Sequence, residues 1–404
     1  MKRVVVTGMG AVSCLGNSMT ETWRAVAAGE SRFAPPTQPE LSGFTRPVGQ
    51  VRDFDPAGRF TRERLAMLDP VAQYALAASR EALLAARVAP DDIVPERFAC
   101  VVGTGAGSQV TQEEASRKLY TSGSPRLHPL TVPRSMFSAV ASQIAIEHGI
   151  KGVVYTVASA CASAAHAIGQ AFQLVRTGLA DAAITGGSEA CLAPGCLAAW
   201  QALHIVAEDT CRPFSRERGG LVLAEGAAML MLEERDAALA RGATVLGEII
   251  GFGACSDAGS ITSPDAGGMA RAMRLALADA ELAASAVDAI NAHGTGTQAN
   301  DRSECEAIAE VFGDRATTLP VTATKSTLGH ALGASAALEL AVTLSALGAQ
   351  FIPPTANFLT RDPDCPIDCV PNFGRSATLA HMISNSFAFG GLNASILVRH
   401  ADAA

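Results

Sequence analysis

Short apolar runs rich in Val, Ile and Ala alternate along the chain with longer Ala-rich stretches of helical period. That alternation is the pattern of an α/β protein whose strands are covered on both faces. The runs predict strands over Arg3–Thr7, Phe98–Gly103, Ala182–Thr185, Ala227–Glu233, Val245–Gly251, Ala289–His293, Val321–Thr324 and Ser395–His400. The Ala-rich stretches predict helices over Thr20–Ala28, Leu65–Ala86, Ser163–Arg176, Gly268–Asp279, Asp301–Phe312 and Ala334–Leu347.

A weak internal echo emerges when the two halves of the chain are laid side by side. Gly8-Met9-Gly10-Ala11-Val12-Ser13 matches Gly251-Phe252-Gly253-Ala254-Cys255-Ser256, each read as a turn after an apolar strand. Ala99–Val102 with Gly103-Thr104-Gly105 is echoed by Ala289–His293 with Gly294-Thr295-Gly296. Val154–Cys161 and its Ala-rich helix parallel Val321–Ser326 and the helix after His330, and Gly226–Glu233 has a counterpart in Asn393–His400. The matches keep their order, which points to a duplicated architecture with a junction near Arg235–Ala243, although glycine turns after strands recur in unrelated α/β chains.

Composition narrows the classes. The 404 residues are 49% hydrophobic and only 17% charged, which rules out disorder for the bulk of the chain. The apolar stretches Gly226–Leu232 and Leu338–Leu347 read as too short or too interrupted to cross about 30 Å of hydrocarbon. Met1-Lys2-Arg3 followed by Val4–Val6 reads as the start of a strand and not as a signal peptide, so a cytoplasmic location and no membrane partner are expected. Ten cysteines occur without any CxxC, the closest pairs being Cys191/Cys196 and Cys365/Cys369; neither a disulfide framework nor a metal site is expected. A net charge of −8 argues against nucleic acid as a partner.

Three loops carry candidate chemistry. Thr156–His166 places Cys161 where an apolar strand gives way to an Ala-rich helix. A thiol there faces the positive end of the helix dipole, which favours thiolate, while the plain reading is a small buried Cys. Asn291–Thr297 sets His293 at a strand end before a turn with two hydroxyls, and Thr324–His330 brings Lys325 and His330 to another strand-to-helix loop. Each histidine alone reads as a structural residue; in echoed positions of two half-chains, with Cys161, they suggest one cleft.

Together the residues resemble the β-ketoacyl-[acyl carrier protein] synthases, thiolase-like condensing enzymes, and most of all the elongating type II synthases. The resemblance runs essentially end to end through Val5–Ser13, Ser159-Ala160-Cys161, Arg212-Pro213-Phe214-Ser215, His293-Gly294-Thr295-Gly296-Thr297, Lys325-Ser326-Thr327-Leu328-Gly329-His330 and Asn385-Ser386-Phe387-Ala388-Phe389-Gly390-Gly391. It implies an α/β, five-layered αβαβα thiolase-like fold of two duplicated halves: residues 1–240 with the nucleophile and residues 241–404 with both catalytic histidines.

The implied reaction is decarboxylative Claisen condensation of a malonyl carrier protein with an acyl chain held on Cys161. His293 and His330 would donate to the enolate oxygen as neutral imidazoles, Lys325 would support them through Glu339, and the backbone N–H groups of Cys161 and Phe389 would form an oxyanion hole. Phe389 resembles a gating aromatic, ahead of Gly390 and Gly391 on the substrate's path. Thr295 and Thr297 resemble hydroxyls that bind pantetheine amides, against the plain reading of turn residues bonding their own backbone. The resemblance places the acyl tunnel wall near Gln109–Thr111, with Met136 or Phe137 reaching in across a dimer, and carrier docking on Arg59, Arg62, Arg64 and Arg126. No metal or bound organic cofactor is implied, since phosphopantetheine arrives on the acyl carrier protein. A homodimer is expected, or a heterodimer with a chain-length-factor homologue.

Alternatives weaken on the same residues. Chain-starting relatives pair Cys with His and Asn, thiolases use a second late Cys where this tail has Ser384-Asn385-Ser386, and chain-length factors lack the nucleophile. A dinucleotide fingerprint at Gly8-Met9-Gly10 lacks its third glycine, Ser13 standing there. Leu392 and Ala228, where the family commonly has Thr and Gly, leave open fatty-acid elongation or a specialised polyketide, polyene or nodulation-factor-like lipid pathway.

Overall fold

The computed structural model describes residues 1–89, 92–123 and 126–403. Ten strands are hydrogen-bonded into one mixed sheet: β1 (Val4–Val12), β2 (Phe98–Gly103), β3 (Val154–Val157), β4 (Ala182–Glu189), β5 (Gly226–Glu234), β6 (Gly247–Ser256), β7 (Ala289–Asn291), β8 (Val321–Thr322), β9 (His381–Ala388) and β10 (Leu392–Arg399). Their order is β3-β2-β4-β5-β1-β6-β10-β9-β7-β8. Outward from the central β1–β6 pair, the two runs of five have the same topology and the same parallel and antiparallel neighbours. The four echoes of the sequence fall on four of the five equivalent strand pairs; the fifth, β4 with β9, is the one the sequence pattern hides. The runs meet through only three residues each, Val4–Val6 against Gly247–Ile249.

The principal helices are α1 (Pro70–Ala86), α2 (Gln109–Thr121), α3 (Ala139–His148), α4 (Ser163–Arg176), α5 (Pro194–Ala202), α6 (Ala266–Asp279), α7 (Gln298–Phe312) and α8 (Ser335–Ala349). Strand residues alternate between faces, and the alternation sorts the core into layers. Ala99, Val101, Leu230 and Leu232 point inward to α4 and α8, whereas Cys100, Val102, Met229 and Met231 point outward to α1 and α3. In the second run Met382 and Ile396 face the central helices, while Ile383 and Leu397 face α6 and α7. The result is helix, sheet, helix, sheet, helix: the five-layered architecture, with both sheet layers joined at the β1–β6 seam.

Three expectations change. Gly8 and Gly10 are not a turn, because β1 continues to Val12. A Cβ on Gly8 would lie 2.0 Å from Ala82 O and one on Gly10 2.1 Å from Ala78 O, so both let α1 pack directly on the strand. Gly251 and Gly253 repeat the device in β6 against Ala276 O and Ala272 O; the echoed Gly-x-Gly is a packing signature, with no room for a dinucleotide. The helix expected over Leu65–Ala86 is interrupted, since Asp69 caps α1 at the Val71 N–H and Pro70 opens it. Finally, Leu332–Ala349 is long and apolar enough by length and composition to cross a membrane, with a mean hydropathy of 1.5, yet 83% of it is buried inside the fold as the central layer.

Candidate active site

Cys161 follows β3 through a sharp turn in which Ala160 has φ +50°. The turn is held by Ser163, whose hydroxyl accepts from Ser159 N–H at 2.9 Å and donates to Ala160 O at 2.6 Å. Gly103 permits the close approach, since a Cβ there would lie 2.3 Å from Ala164 N. The sulfur is thereby presented just ahead of α4, on a residue that is 7% exposed.

His293 leaves β7 on a loop pinned by a buried acid: Glu304 of α7 accepts the N–H groups of His293 and Gly294, each at 2.8 Å. Asp301, one turn earlier, accepts from Phe214 N–H at 2.8 Å and Gly296 N–H at 3.2 Å. His330 is strung between the two runs, donating its N–H to Val222 O at 2.7 Å and accepting from Ala224 N–H at 2.9 Å. Glu189 at the end of β4 completes the bracing by accepting from Gly105, Ala106 and Gly333, at 2.7, 3.1 and 2.9 Å. None of these acids was singled out from the sequence; the available signal was a carboxylate following a short apolar run and Gly186-Gly187 (Glu189) and an i,i+3 acidic pair (Asp301, Glu304).

The three loops converge. Ligand-type atoms of Cys161, His293 and His330 all lie within 4.8 Å of one another, and the two imidazoles meet edge to face with centroids 5.6 Å apart. Their tautomers follow from their partners. His330 Nδ1 accepts the Leu332 N–H at 3.0 Å. Lys325 donates to His293 Nδ1 at 3.2 Å, to His293 O at 2.7 Å and to Glu339 Oε1 at 2.6 Å, which uses all three ammonium hydrogens. Both rings therefore carry their proton on Nε2. Burial, reinforced by the Lys325 charge, holds both well below the ordinary histidine range, so they stay neutral. Spacing alone would suit a soft cation, but protonated Nε2 atoms and a neighbouring ammonium oppose one. Burial pushes Glu339 up to about 7 against the pull of Lys325.

The thiolate expected from the helix dipole is not what the site favours at rest. Burial pushes the Cys161 thiol up to about 11, opposed by the Lys325 charge and by hydrogen bonds from the backbone N–H groups of Phe389 and Cys161. Alkylation of Cys161 by iodoacetamide is therefore expected to accelerate about tenfold per pH unit between about pH 7 and 10, because a raised thiol pKa leaves the neutral form dominant and each unit multiplies the thiolate about tenfold. A plateau below pH 8 would contradict it.

A cavity of about 500 Å³ holds Cys161, His293, His330, Thr295, Thr297, Phe389 and Gly391 on its walls. Thr295 and Thr297 have their hydroxyls 2.9 Å apart, and Thr297 also caps α7 at the Asn300 N–H, so the turn-residue reading holds beside any ligand role. Phe389, Gly390 and Gly391 form the tip of the β9–β10 hairpin, with both glycines at positive φ. The tip is tied to a facing loop by Gly390 N–H to Ile261 O at 2.7 Å and Asp257 N–H to Gly391 O at 3.0 Å. Phe389 stacks on Trp200, centroids 6.0 Å apart and planes at 14°; Trp200 was not anticipated.

Other expected site residues lie elsewhere. Met136 and Phe137, each 43% exposed, do not line this cavity and are exposed apolar residues of the single chain, as are Tyr120 and Val132. None of Arg59, Arg62, Arg64 and Arg126 lines it either. Arg64 is engaged within the chain, 2.6 Å from Gln143 Oε1 and 3.4 Å from Glu147 Oε2, and Arg59 lies over the Phe54 ring. Arg62 and Arg126 are at the surface.

Comparison with known proteins finds relatives along the whole chain. The chain is 42% identical over 398 residues to nodulation protein E of Rhizobium sp. (strain N33), covering 98% of this chain and 99% of the relative. It is 37% identical over 404 residues to 3-oxoacyl-[acyl-carrier-protein] synthase 2 of Synechocystis sp., covering 98% and 97%. Among solved structures, the ishigamide ketosynthase/chain length factor superposes with a TM-score of 0.94 at 35% identity over 99% of both chains. Residues 1–238 match the β-ketoacyl synthase N-terminal domain and residues 246–359 its C-terminal domain, and the chain belongs to the β-ketoacyl synthase family.

Proposed function

We propose that this protein elongates acyl chains by decarboxylative condensation of a malonyl-carrier thioester with an acyl group held on Cys161. The observation that carries the reading is the convergence of one sulfur with two imidazoles whose tautomers both leave Nε2–H free to donate. In the first stage the Cys161 sulfur attacks the acyl thioester, the carrier sulfur leaves, and the thiol proton goes with it. Oxyanion charge develops beside the N–H groups of Cys161 and Phe389, which already bond the sulfur at rest. In the second stage the malonyl carboxylate departs as CO₂ and its bonding electrons form an enolate. The Nε2–H groups of His293 and His330 donate to the enolate oxygen, the nucleophilic carbon attacks the acyl-Cys161 carbonyl, and the sulfur leaves to take a proton from solvent.

Phosphopantetheine would enter on the carrier protein past Thr295 and Thr297, and the reaction would run in the cytoplasm. The sulfur would come from residues 1–240 and the imidazoles from residues 241–404. The exposed apolar side chains of Tyr120, Val132, Met136 and Phe137 suit a second subunit, either another copy or a chain-length-factor homologue. A pathway-specific lipid or polyketide role is the second reading, favoured by the greater identity to nodulation protein E than to the synthase and by the likeness to the ishigamide ketosynthase. Intact-mass measurement after incubation with a panel of acyl carrier proteins is expected to show one acyl group added at Cys161, and its chain length tells the two readings apart. No mass gain with any carrier would refute the proposal.

A further inference from the structure

We propose that Ser335 is a positioning residue for the condensation: its hydroxyl is a second donor to His330 Nδ1 and brings the donor strength of the His330 Nε2–H up to that of His293. This rests on the condensing reading above. Without Ser335 the two imidazoles would be unequally supplied. His293 Nδ1 accepts from an ammonium, that of Lys325 at 3.2 Å, and a hydrogen bond from a charged donor is about twice as strong as a neutral one. His330 Nδ1 accepts from the Leu332 N–H at 3.0 Å, a neutral donor. The Ser335 hydroxyl lies 3.1 Å from the same nitrogen. Because Nδ1 already accepts the Leu332 N–H it carries no proton, so the hydroxyl must donate. Donors at one ring nitrogen polarise the ring and strengthen the bond that the opposite N–H makes. Two neutral donors on His330 thus answer the one charged donor on His293.

The hydroxyl has no competing task. Ser335 opens α8 and is 2% exposed, and among the described residues its Oγ bonds His330 Nδ1 alone. Farther along the same helix, Thr343 and Ser345 donate back to the carbonyls four residues earlier, Glu339 O at 2.7 Å and Ala341 O at 2.9 Å. That is the ordinary use of a hydroxyl inside a helix; Ser335 is turned to the ring instead. The turn that joins the two residues is fixed as well. Leu332 holds φ +41°, the Ala334 N–H donates to Ala331 O at 2.8 Å, and the Gly333 N–H is held by Glu189 at 2.9 Å. A Cβ on Gly333 would lie 2.1 Å from Gly105 N. Neither donor can slide to cover the loss of the other.

The test is Ser335→Ala, which removes one oxygen and keeps the Cβ. In this variant kcat for CO₂ release from the malonyl-carrier thioester is expected to fall about two- to tenfold, the rate equivalent of one neutral hydrogen bond. KM should be unchanged, and acyl transfer to Cys161, read by intact mass, should keep the parental rate. In protein labelled with ¹⁵N-histidine, the His330 Nδ1 resonance should move toward that of an unbonded imidazole nitrogen while His293 Nδ1 stays in place, a change that lost packing would not produce. An unmoved His330 resonance, parental CO₂ release, or equal losses of CO₂ release and acyl transfer overturn the role of Ser335 and leave the condensing reading standing. A parent that releases no CO₂ and takes up no acyl group overturns the condensing reading, and this role with it.

Discussion

Cys161→Ala is expected to lower condensation by at least about 10⁴-fold while leaving decarboxylation of the malonyl-carrier thioester measurable. The separation follows from where the groups are anchored. The sulfur is set by the Ala160 turn and the Ser163 hydroxyl, whereas each imidazole takes its orientation from a donor that makes no hydrogen bond to the sulfur: Lys325 for His293, the Leu332 N–H for His330. Removing the thiol removes the acyl acceptor and leaves both Nε2–H groups in place. His293→Ala combined with His330→Ala should show the reverse: acyl loading retained, CO₂ release lost. Parallel collapse of both activities in either variant would show that the three groups act inseparably, contrary to the assigned roles.

Lys325→Met is expected to destabilise the fold by about 3–5 kcal/mol, the cost of stranding one partner of a buried ion pair, and to cut decarboxylation as well. Lys325 and Glu339 are 1% and 2% exposed, Lys325 bonds Glu339 Oε1, and Glu339 Oε2 has no hydrogen-bond partner among the described residues. The second substitution Glu339→Leu should recover most of the stability, because two apolar side chains leave nothing unpaired. It should not recover activity, because His293 Nδ1 still lacks the donor that fixes its proton on Nε2. Urea denaturation together with CO₂ release distinguishes these effects; full recovery of activity in the double variant would make the pair purely structural.

Much of this architecture was legible because buried parallel strands and Ala-rich helices announce themselves by hydrophobicity. The exception is instructive. β9 reads His-Met-Ile-Ser-Asn-Ser-Phe-Ala, and its buried polar centre carries no period-2 apolar signal; Asn385 is satisfied inside by Ser395 Oγ at 2.8 Å. Glycines misled in the other direction, since Gly8 and Gly10 mark helix-on-strand contact and not a turn. In the site, Cys161, His293, Lys325 and His330 were visible as motif residues at strand ends. Glu189, Asp301 and Glu304 were not, because their partners are backbone N–H groups of loops remote in sequence, a relation that only folding creates. The thiol's protonation also escaped, because a local dipole argument cannot weigh a burial that distant elements impose.

The symmetric sheet carries an asymmetric reaction. The corner of the second run that answers to Cys161 lies at Thr324–Thr327, where Lys325 braces His293 and Ser326 donates to Ala323 O at 2.7 Å. An ancestral repeat assembled as two equal copies would have begun with two interchangeable clefts. On the proposed roles, one half of the chain holds the electrophile's anchor and the other the proton donors, so neither half carries a whole set. A chain severed in Arg235–Ala240 would accordingly yield two inert fragments, and any rescue by supplying them together would report the rebuilding of a single shared centre.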